Sequence, residues 1–268
     1  MMRINGKTAD HISALDRGLL YGDGLFETLS IVEGEPLHWS RHMARLTQGC
    51  QRLKITAPDS DYLLADVRGC CVGKTRAVAK IIVTRGQGGR GYNPTNTTPT
   101  YITQCFPWPD FPAKNSNQGV AVRVCELRLA AQPLLAGLKH LNRLESVLAR
   151  AEWTDDTIAE GLLRDSQGHY IEGTMSNLFI IKSGQLFTDP LQQCGVAGIM
   201  REIVMTLAEQ LGIRCVLQAI DEQQLKDADE LFICNSLINI WPIRRVIDRG
   251  EYPLGPLTRR LQQVIEAM

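Results

Sequence analysis

Lys139 lies in the run Leu135-Ala136-Gly137-Leu138-Lys139-His140-Leu141-Asn142-Arg143-Leu144-Glu145, a cation flanked by leucines at the head of a helical pattern. Most lysines are solvated, and one at a helix start ordinarily snorkels. A cation drawn inward by Leu138 and Leu141 needs a reason to be there. An amine held in an apolar pocket has a lowered pKa and can form an imine with an aldehyde cofactor. Glu172 opens a second run, Glu172-Gly173-Thr174-Met175-Ser176-Asn177. An isolated hairpin glutamate is normally a surface residue. One that faces a pyridine nitrogen keeps that nitrogen protonated and makes the ring an electron sink. A helix starts near Gly198-Ile199-Met200-Arg201, and the Ile199 and Met200 N–H groups at its N-terminus form a phosphate site. Arg45, otherwise an ordinary helical arginine, adds a charge-assisted donor for the same phosphate. These residue types together read as a Schiff-base enzyme.

One further motif invites a dinucleotide reading. Gly86-Gln87-Gly88-Gly89-Arg90-Gly91 matches G-x-G-x-x-G and follows a strand. That fingerprint requires a helix to open at the glycines. The next residues, Tyr92 to Pro99 with two prolines, cannot be that helix. The loop instead reads as a glycine-rich segment bringing Arg85, Arg90 and Tyr92 to a small anionic substrate, against the plainer alternative of a hairpin tip.

Several elements must position these groups. Gly24 to Ile31 reads as a strand, followed by the turn Glu33-Gly34-Glu35-Pro36. Ser40 is the expected N-cap of a helix with Met43, Leu46, Cys50 and Leu53 on one face. Ala77 to Thr84 is a β-branched strand, and Gly119 to Glu126 another. Leu141 is expected to open a helix through Leu144, Val147, Leu148 and Ala151. Hairpins follow around Ser166-Gln167-Gly168 and Ser183-Gly184. Helices are expected at Gly198 to Leu211, with Gly212 as a stop, at Glu222 to Ala228, and at the C-terminus. This mixed order, with hairpins, argues for an α+β fold and against a doubly wound parallel sheet. The stretch Phe106 to Asn117, with three prolines, reads as neither helix nor central strand. It divides the chain into an N-terminal α+β domain (1-106), a linker (107-117) and a C-terminal α+β domain (118-268) that carries Lys139.

Composition narrows the class. The 268 residues hold 44% hydrophobic and 22% charged side chains, enough for a core. With 29 basic and 29 acidic residues, no net charge favours nucleic acid or an acidic membrane. The start, Met1-Met2-Arg3-Ile4-Asn5-Gly6-Lys7, reaches charge too early for a signal peptide. No apolar run approaches the roughly 20 residues of a membrane span. Eight scattered cysteines without C-x-x-C spacing point to reduced thiols in the cytoplasm, with no metal site.

Together these segments resemble the fold-type IV pyridoxal-phosphate enzymes, which include branched-chain aminotransferases, D-amino-acid aminotransferases and aminodeoxychorismate lyases. The stretches that carry the resemblance are Asp16-Arg17-Gly18, Tyr21-Gly22-Asp23-Gly24-Leu25-Phe26-Glu27-Thr28, His42-Met43-Ala44-Arg45-Leu46, Lys139, Glu172 to Asn177, and Gly198 to Arg201. Within the family, Arg85 to Tyr92, Gly137 to Glu145 and Cys234-Asn235-Ser236-Leu237 look most like the lyases. The resemblance implies a two-domain fold with pyridoxal 5′-phosphate between the domains, and a homodimer. It implies Lys139 as the Schiff-base lysine and Glu172 as partner of the pyridine nitrogen. Phosphate would be held by Arg45, the Ile199 and Met200 amides and the Ser236 hydroxyl. Thr28 stands where the lyases use a hydroxyl near the leaving group, and Arg90 and Tyr92 where relatives bind substrate carboxylate. Phe26 replaces the tyrosine of D-amino-acid aminotransferases. The implied reaction converts 4-amino-4-deoxychorismate to 4-aminobenzoate and pyruvate in folate biosynthesis. The alternatives are an aminotransferase on D- or branched-chain amino acids and a catalytically silent binding protein, which would lack the lysine or the phosphate site.

Overall fold

The computed structural model describes residues 1–95 and 97–268; Asn96, in the stretch expected to be non-helical, lies outside them. Two compact units divide the chain, Met1–Asp110 with Leu138–Asn142, and Phe111–Gly137 with Arg143–Met268. Both combine helices and sheets, so the fold is α+β.

The first unit contains β1 (Met2–Ile4), β2 (Lys7–Thr8), α1 (Arg17–Tyr21), β3 (Gly24–Val32), β4 (Glu35–Pro36), α2 (Trp39–Leu53), α3 (Ser60–Cys70), β5 (Arg76–Thr84) and β6 (Thr100–Pro107). Its sheet runs β2-β1-β6-β5-β3-β4. Strand alternation sends Leu25, Leu29 and Ile31 into the core, and with them the charged Glu27. Helix α2 buries Met43, Leu46 and Cys50, as the spacing predicts, together with His42. It starts at Trp39 and not after Ser40. Leu37 N–H already bonds to the Ser30 carbonyl, and His38 then turns the chain at φ 55° as N-cap without a side-chain bond.

The second unit contains α4 (Ala113–Asn117), β7 (Val120–Leu129), α5 (Leu144–Arg150), β8 (Ile158–Asp165), β9 (Tyr170–Gly173), β10 (Asn177–Lys182), β11 (Gln185–Thr188), α6 (Ile199–Gln210), β12 (Cys215–Leu217), α7 (Glu222–Lys226), β13 (Glu230–Asn235), β14 (Asn239–Val246), β15 (Gly250–Glu251) and α8 (Pro256–Glu266). Its sheet runs β12-β11-β10-β13-β14-β7-β8-β9, and β9 pairs back onto β10 with Glu172 opposite Asn177. Six strands therefore close on themselves, and the seam of that closure is the Glu172 segment. Leu178, Ile180, Leu231 and Ile233 fill one face. Phe179 and Phe232, stacked at 4.9 Å, fill the other with α6 and α8. Among the described residues no helix is long and apolar enough to cross a membrane.

Several features differ from the sequence-based expectations. The proline-rich stretch does contain regular structure. Pro107 ends β6, where a ladder tolerates it, and Ala113–Asn117 is a short helix entered through Pro112. Proline is tolerated at a helix start because the first N–H groups have no intrahelical partner. The contact division falls after Asp110, and Phe111 packs edge-on against Trp241 of the second unit at 5.2 Å. Lys139 belongs by its contacts to the first unit, not to the C-terminal one. It is not at a helix start either. Leu141 N–H bonds to the Gly24 carbonyl, which holds the segment extended, so α5 begins only at Leu144.

A Cβ on Gly24 would meet the Val83 carbonyl oxygen at 2.3 Å and Leu141 Cδ1 at 2.9 Å. Gly24→Ala is expected to cost about 1–3 kcal/mol through overpacking, read as a lower urea midpoint. An unchanged midpoint would mean that this close approach relaxes freely.

Candidate active site

Lys139 is carried on an added edge strand. Phe26 N–H bonds to the Lys139 carbonyl and Leu141 N–H to the Gly24 carbonyl, both at 3.0 Å, and Leu25 bridges His140. In this antiparallel pairing, residues opposite one another share a face. Leu138 is accordingly buried, whereas the Lys139 ammonium lies 4.3 Å from the centroid of the Phe26 ring. Thr28 follows two residues along the same face of β3 and pairs with Lys80 of β5. Lys80 places its own ammonium 5.3 Å from the Phe26 ring. Sequence reasoning missed Lys80; the alternation of β5 against β3 is the signal that could have found it.

Arg45 is not the exposed helical arginine of the plainer reading. Its Nε donates to Glu27 Oε1 at 2.8 Å and its Nη2 to Oε2 at 2.5 Å. His42 Nδ1 donates to the same Oε2 at 2.6 Å, since a carboxylate can only accept. Glu27 and His42 are each 1% exposed at the side chain. Burial alone would push the Glu27 carboxyl up, but the Arg45 charge and the hydrogen bonds from His42 and Arg45 hold it down at about 2. Burial keeps His42 below its ordinary value against the pull of Glu27, and the Arg45 and Lys139 charges act in the same direction as burial.

The glycine-rich loop connects β5 to β6, and no helix opens there among the described residues. Arg85 does not reach for a ligand. It is buried, bonded through Nε to Asp23 and through its Nη atoms to the Leu53 and Lys54 carbonyls. Arg17, also buried, donates to Asp23 and to the Gly91 and Tyr92 carbonyls, which fixes the far end of the loop. Arg90 is exposed there, and Tyr92 is 84% exposed with its ring edge-on to Tyr21.

In the second unit Glu172 is buried at the β9–β10 seam. Its Oε2 accepts from Val196 N–H at 2.8 Å and from Asn177 Nδ2 at 3.4 Å. Gly195 (φ 83°) makes that turn, and a Cβ there would approach the same carboxylate oxygen at 3.3 Å. Two residues after Val196 comes Gly198, the N-cap of α6, which makes no side-chain cap bond. The leading N–H groups of a helix have no intrahelical partner. Ile199 and Met200 are buried at that start. Ser236 lies in the turn between β13 and β14. Asn235 orders the turn, its Oδ1 accepting from Leu237 and Ile238 N–H while its Nδ2 donates to the Met175 carbonyl. The segment 174–176 is tied down by Glu160, a buried carboxylate that accepts from Thr174 N–H and Oγ1, Met175 N–H and Ser176 Oγ. Glu160 carried no local signal in the sequence, and Asn235 entered only as part of the Cys234 to Leu237 run. Thus Lys139, Thr28 and Arg45 are gathered in the first unit with the loop of Arg90 and Tyr92, and Glu172, Ile199, Met200 and Ser236 in the second.

Residues 24–246 match the amino-transferase class IV family, and the chain belongs to that family. Among solved structures it is similar to the 4-amino-4-deoxychorismate lyase of Pseudomonas aeruginosa, 45% identical, covering 100% of this chain and 98% of that one at TM-score 0.96. The Escherichia coli branched-chain amino acid aminotransferase is 27% identical, covering 100% and 93% at TM-score 0.89. Among curated relatives, the aminodeoxychorismate lyase of Vibrio harveyi is 37% identical over 98% of both chains.

The Glu27 carboxyl is depressed on folding from an ordinary 4.5 to about 2. Its contribution is therefore present above pH 4.5 and is lost as pH falls through about 2. Urea midpoints measured across that window should fall more steeply for the native protein than for Glu27→Gln, by an amount worth about 3 kcal/mol in all. Parallel acid limbs would mean the carboxylate is not held ionised.

Proposed function

We propose that this protein is a pyridoxal-5′-phosphate-dependent lyase that converts 4-amino-4-deoxychorismate into 4-aminobenzoate and pyruvate. The observation that carries this reading is Lys139 pinned opposite Phe26, with the Thr28 hydroxyl on the same strand face. The full-length similarity to two lyases supports it.

The residues fit the cofactor. The start of α6, capped by a glycine with no side-chain bond, suits a phosphate dianion. Glu172 is a buried carboxylate already oriented by Val196 and Asn177, the group a pyridinium requires. Lys139 would be the attachment point for the aldehyde, Glu172 the partner of the ring nitrogen, and Arg45, the Ile199 and Met200 amides and Ser236 would be the phosphate ligands. When bound, the cofactor supplies an electron sink for the charge left when a substrate proton is removed. Lys139 would take the proton from C4 of the substrate ring. Thr28, or Lys139 acting in turn as general acid, gives a proton as the C3 enolpyruvyl oxygen leaves. Arg90 and Tyr92 meet a substrate carboxylate, and Lys80, opposite Thr28, offers a further cation for one.

The homodimer and the cytoplasmic location belong to the same reading. Short helix α5 leaves Leu144, Val147 and Leu148 at least 60% exposed, an apolar stripe that a second copy would cover. A one-chain mass by light scattering would remove the dimer. The eight cysteines are all free, as a reducing compartment requires, and recovery from an oxidising compartment with disulfides formed would remove the location.

Protein loaded with pyridoxal phosphate and given 4-amino-4-deoxychorismate should release 4-aminobenzoate and pyruvate in equal amounts, with no keto acid added. Silence toward that substrate, with steady consumption of an amino acid and a keto acid, would make it an aminotransferase. Lys139→Ala should lower turnover by about 10⁴-fold or more, and near-native turnover would sink the mechanism. Thr28→Val should keep the cofactor spectrum while slowing elimination about 10²-fold; an unchanged rate would leave Thr28 as packing.

A further inference from the structure

Glu27 has no role in the steps above, yet it is among the most costly residues in the first unit. A buried carboxylate, 1% exposed and held ionised, must be compensated by its partners. Those partners are two neighbours on α2. His42 and Arg45 are three apart, so both side chains project from one helix face onto the same strand residue. Arg45 meets Glu27 in the forked geometry, Nε to Oε1 and Nη2 to Oε2, which fixes the plane of the guanidinium as well as its position. His42 Nδ1 takes a further lone pair of Oε2 and so stops the carboxylate rotating about its own axis. Glu27 itself sits in the centre of β3, paired to Ile81 of β5, where the backbone cannot drift.

The alternatives for such a group are weaker. A purely structural ion pair in this position would often be replaceable by well-packed apolar residues at little cost. Glu27 also faces the opposite side of β3 from Phe26, Thr28 and the Lys139 ammonium, so it is not placed to exchange a proton with substrate.

We propose that Glu27, locked by His42, is a positioning residue that aims the Arg45 guanidinium at the cofactor phosphate and so sets the preference of this protein for the phosphorylated form of pyridoxal. This rests on the reading that Arg45 is a phosphate ligand. Glu27 spends two of the five guanidinium N–H donors to direct the whole group. A loss of direction weakens the phosphate bond without touching the aldehyde or the ring.

The test compares binding of pyridoxal 5′-phosphate with binding of pyridoxal, which lacks the phosphate, to cofactor-free protein, by absorbance and fluorescence titration. Glu27→Gln removes the charge but keeps the shape. It is expected to weaken pyridoxal 5′-phosphate binding about 10–100-fold, the range seen when an outer-shell partner of a ligand is lost, and to leave pyridoxal binding within about twofold. Glu27→Asp keeps the charge but withdraws it by one methylene, and should show the same selective loss in smaller measure. Equal weakening for both ligands, in either variant that folds, would overturn the proposal and leave Glu27 as a fold-stabilising group. Arg45→Gln separates the two readings. If it abolishes the preference and the Glu27 variants do not, the positioning role fails. If Arg45→Gln itself leaves the preference intact, it is the phosphate reading of Arg45 that fails.

Discussion

The two backbone hydrogen bonds that fasten residues 138–142 to β3 are the constraint on which the chemistry of the first unit depends. They make Lys139 an edge-strand residue, with its side-chain direction set by the alternation of a sheet. Had the segment been the first turn of a helix, the lysine could have rotated into solvent and its neighbours would have followed the helical repeat. As an extended partner of β3 it has one allowed face, the face of Phe26 and Thr28. Gly24 permits this, because only a residue without Cβ lets the β5 backbone and Leu141 approach from both sides.

The second unit meets a comparable demand by closing a sheet. Glu172 and Asn177 form the closing pair of the six-strand ring, and the turn through Gly195 supplies the N–H that orients the carboxylate before the chain enters α6. Carboxylate and helix start are therefore held by one short stretch of backbone, and Gly137 is bonded into that stretch on both sides. Glu160 performs the same service for the neighbouring loop, satisfying four donors with one buried carboxylate. Buried acids recur in this protein as organisers: Glu27 in the first unit, Glu160 and Glu230 in the second, the last accepting from the leading N–H groups of α8.

Much of the secondary structure was readable from local pattern. The β-branched run at Ala77, the hairpin signals at Gly168 and Gly184, and the amphipathic repeat after Gly198 each declare themselves within ten residues, and the structure contains them. The misreadings share a cause. At Leu141 an apolar repeat favoured a helix, but a distant strand offered hydrogen bonds that a helix would have forfeited. At Ser40 a good capping residue lost to a turn already set by β4. At Pro112 the prolines argue against a helix, yet one begins immediately after them.

The sequence by itself determined the family, the residue types able to hold an aldehyde, a phosphate and a pyridinium, and the elements on which they ride, because motifs and periodicities are local properties of the chain. It could not say that Arg85 is spent on Asp23 and two carbonyls while Arg90 is not, since both look alike in a glycine-rich loop. Nor could it bring Glu27 under Arg45, or Lys80 beside Phe26. Those relations are pairings between residues 18 and 54 positions apart, and only the register of packed elements decides which side chains share a face, which are buried, and which charge answers another.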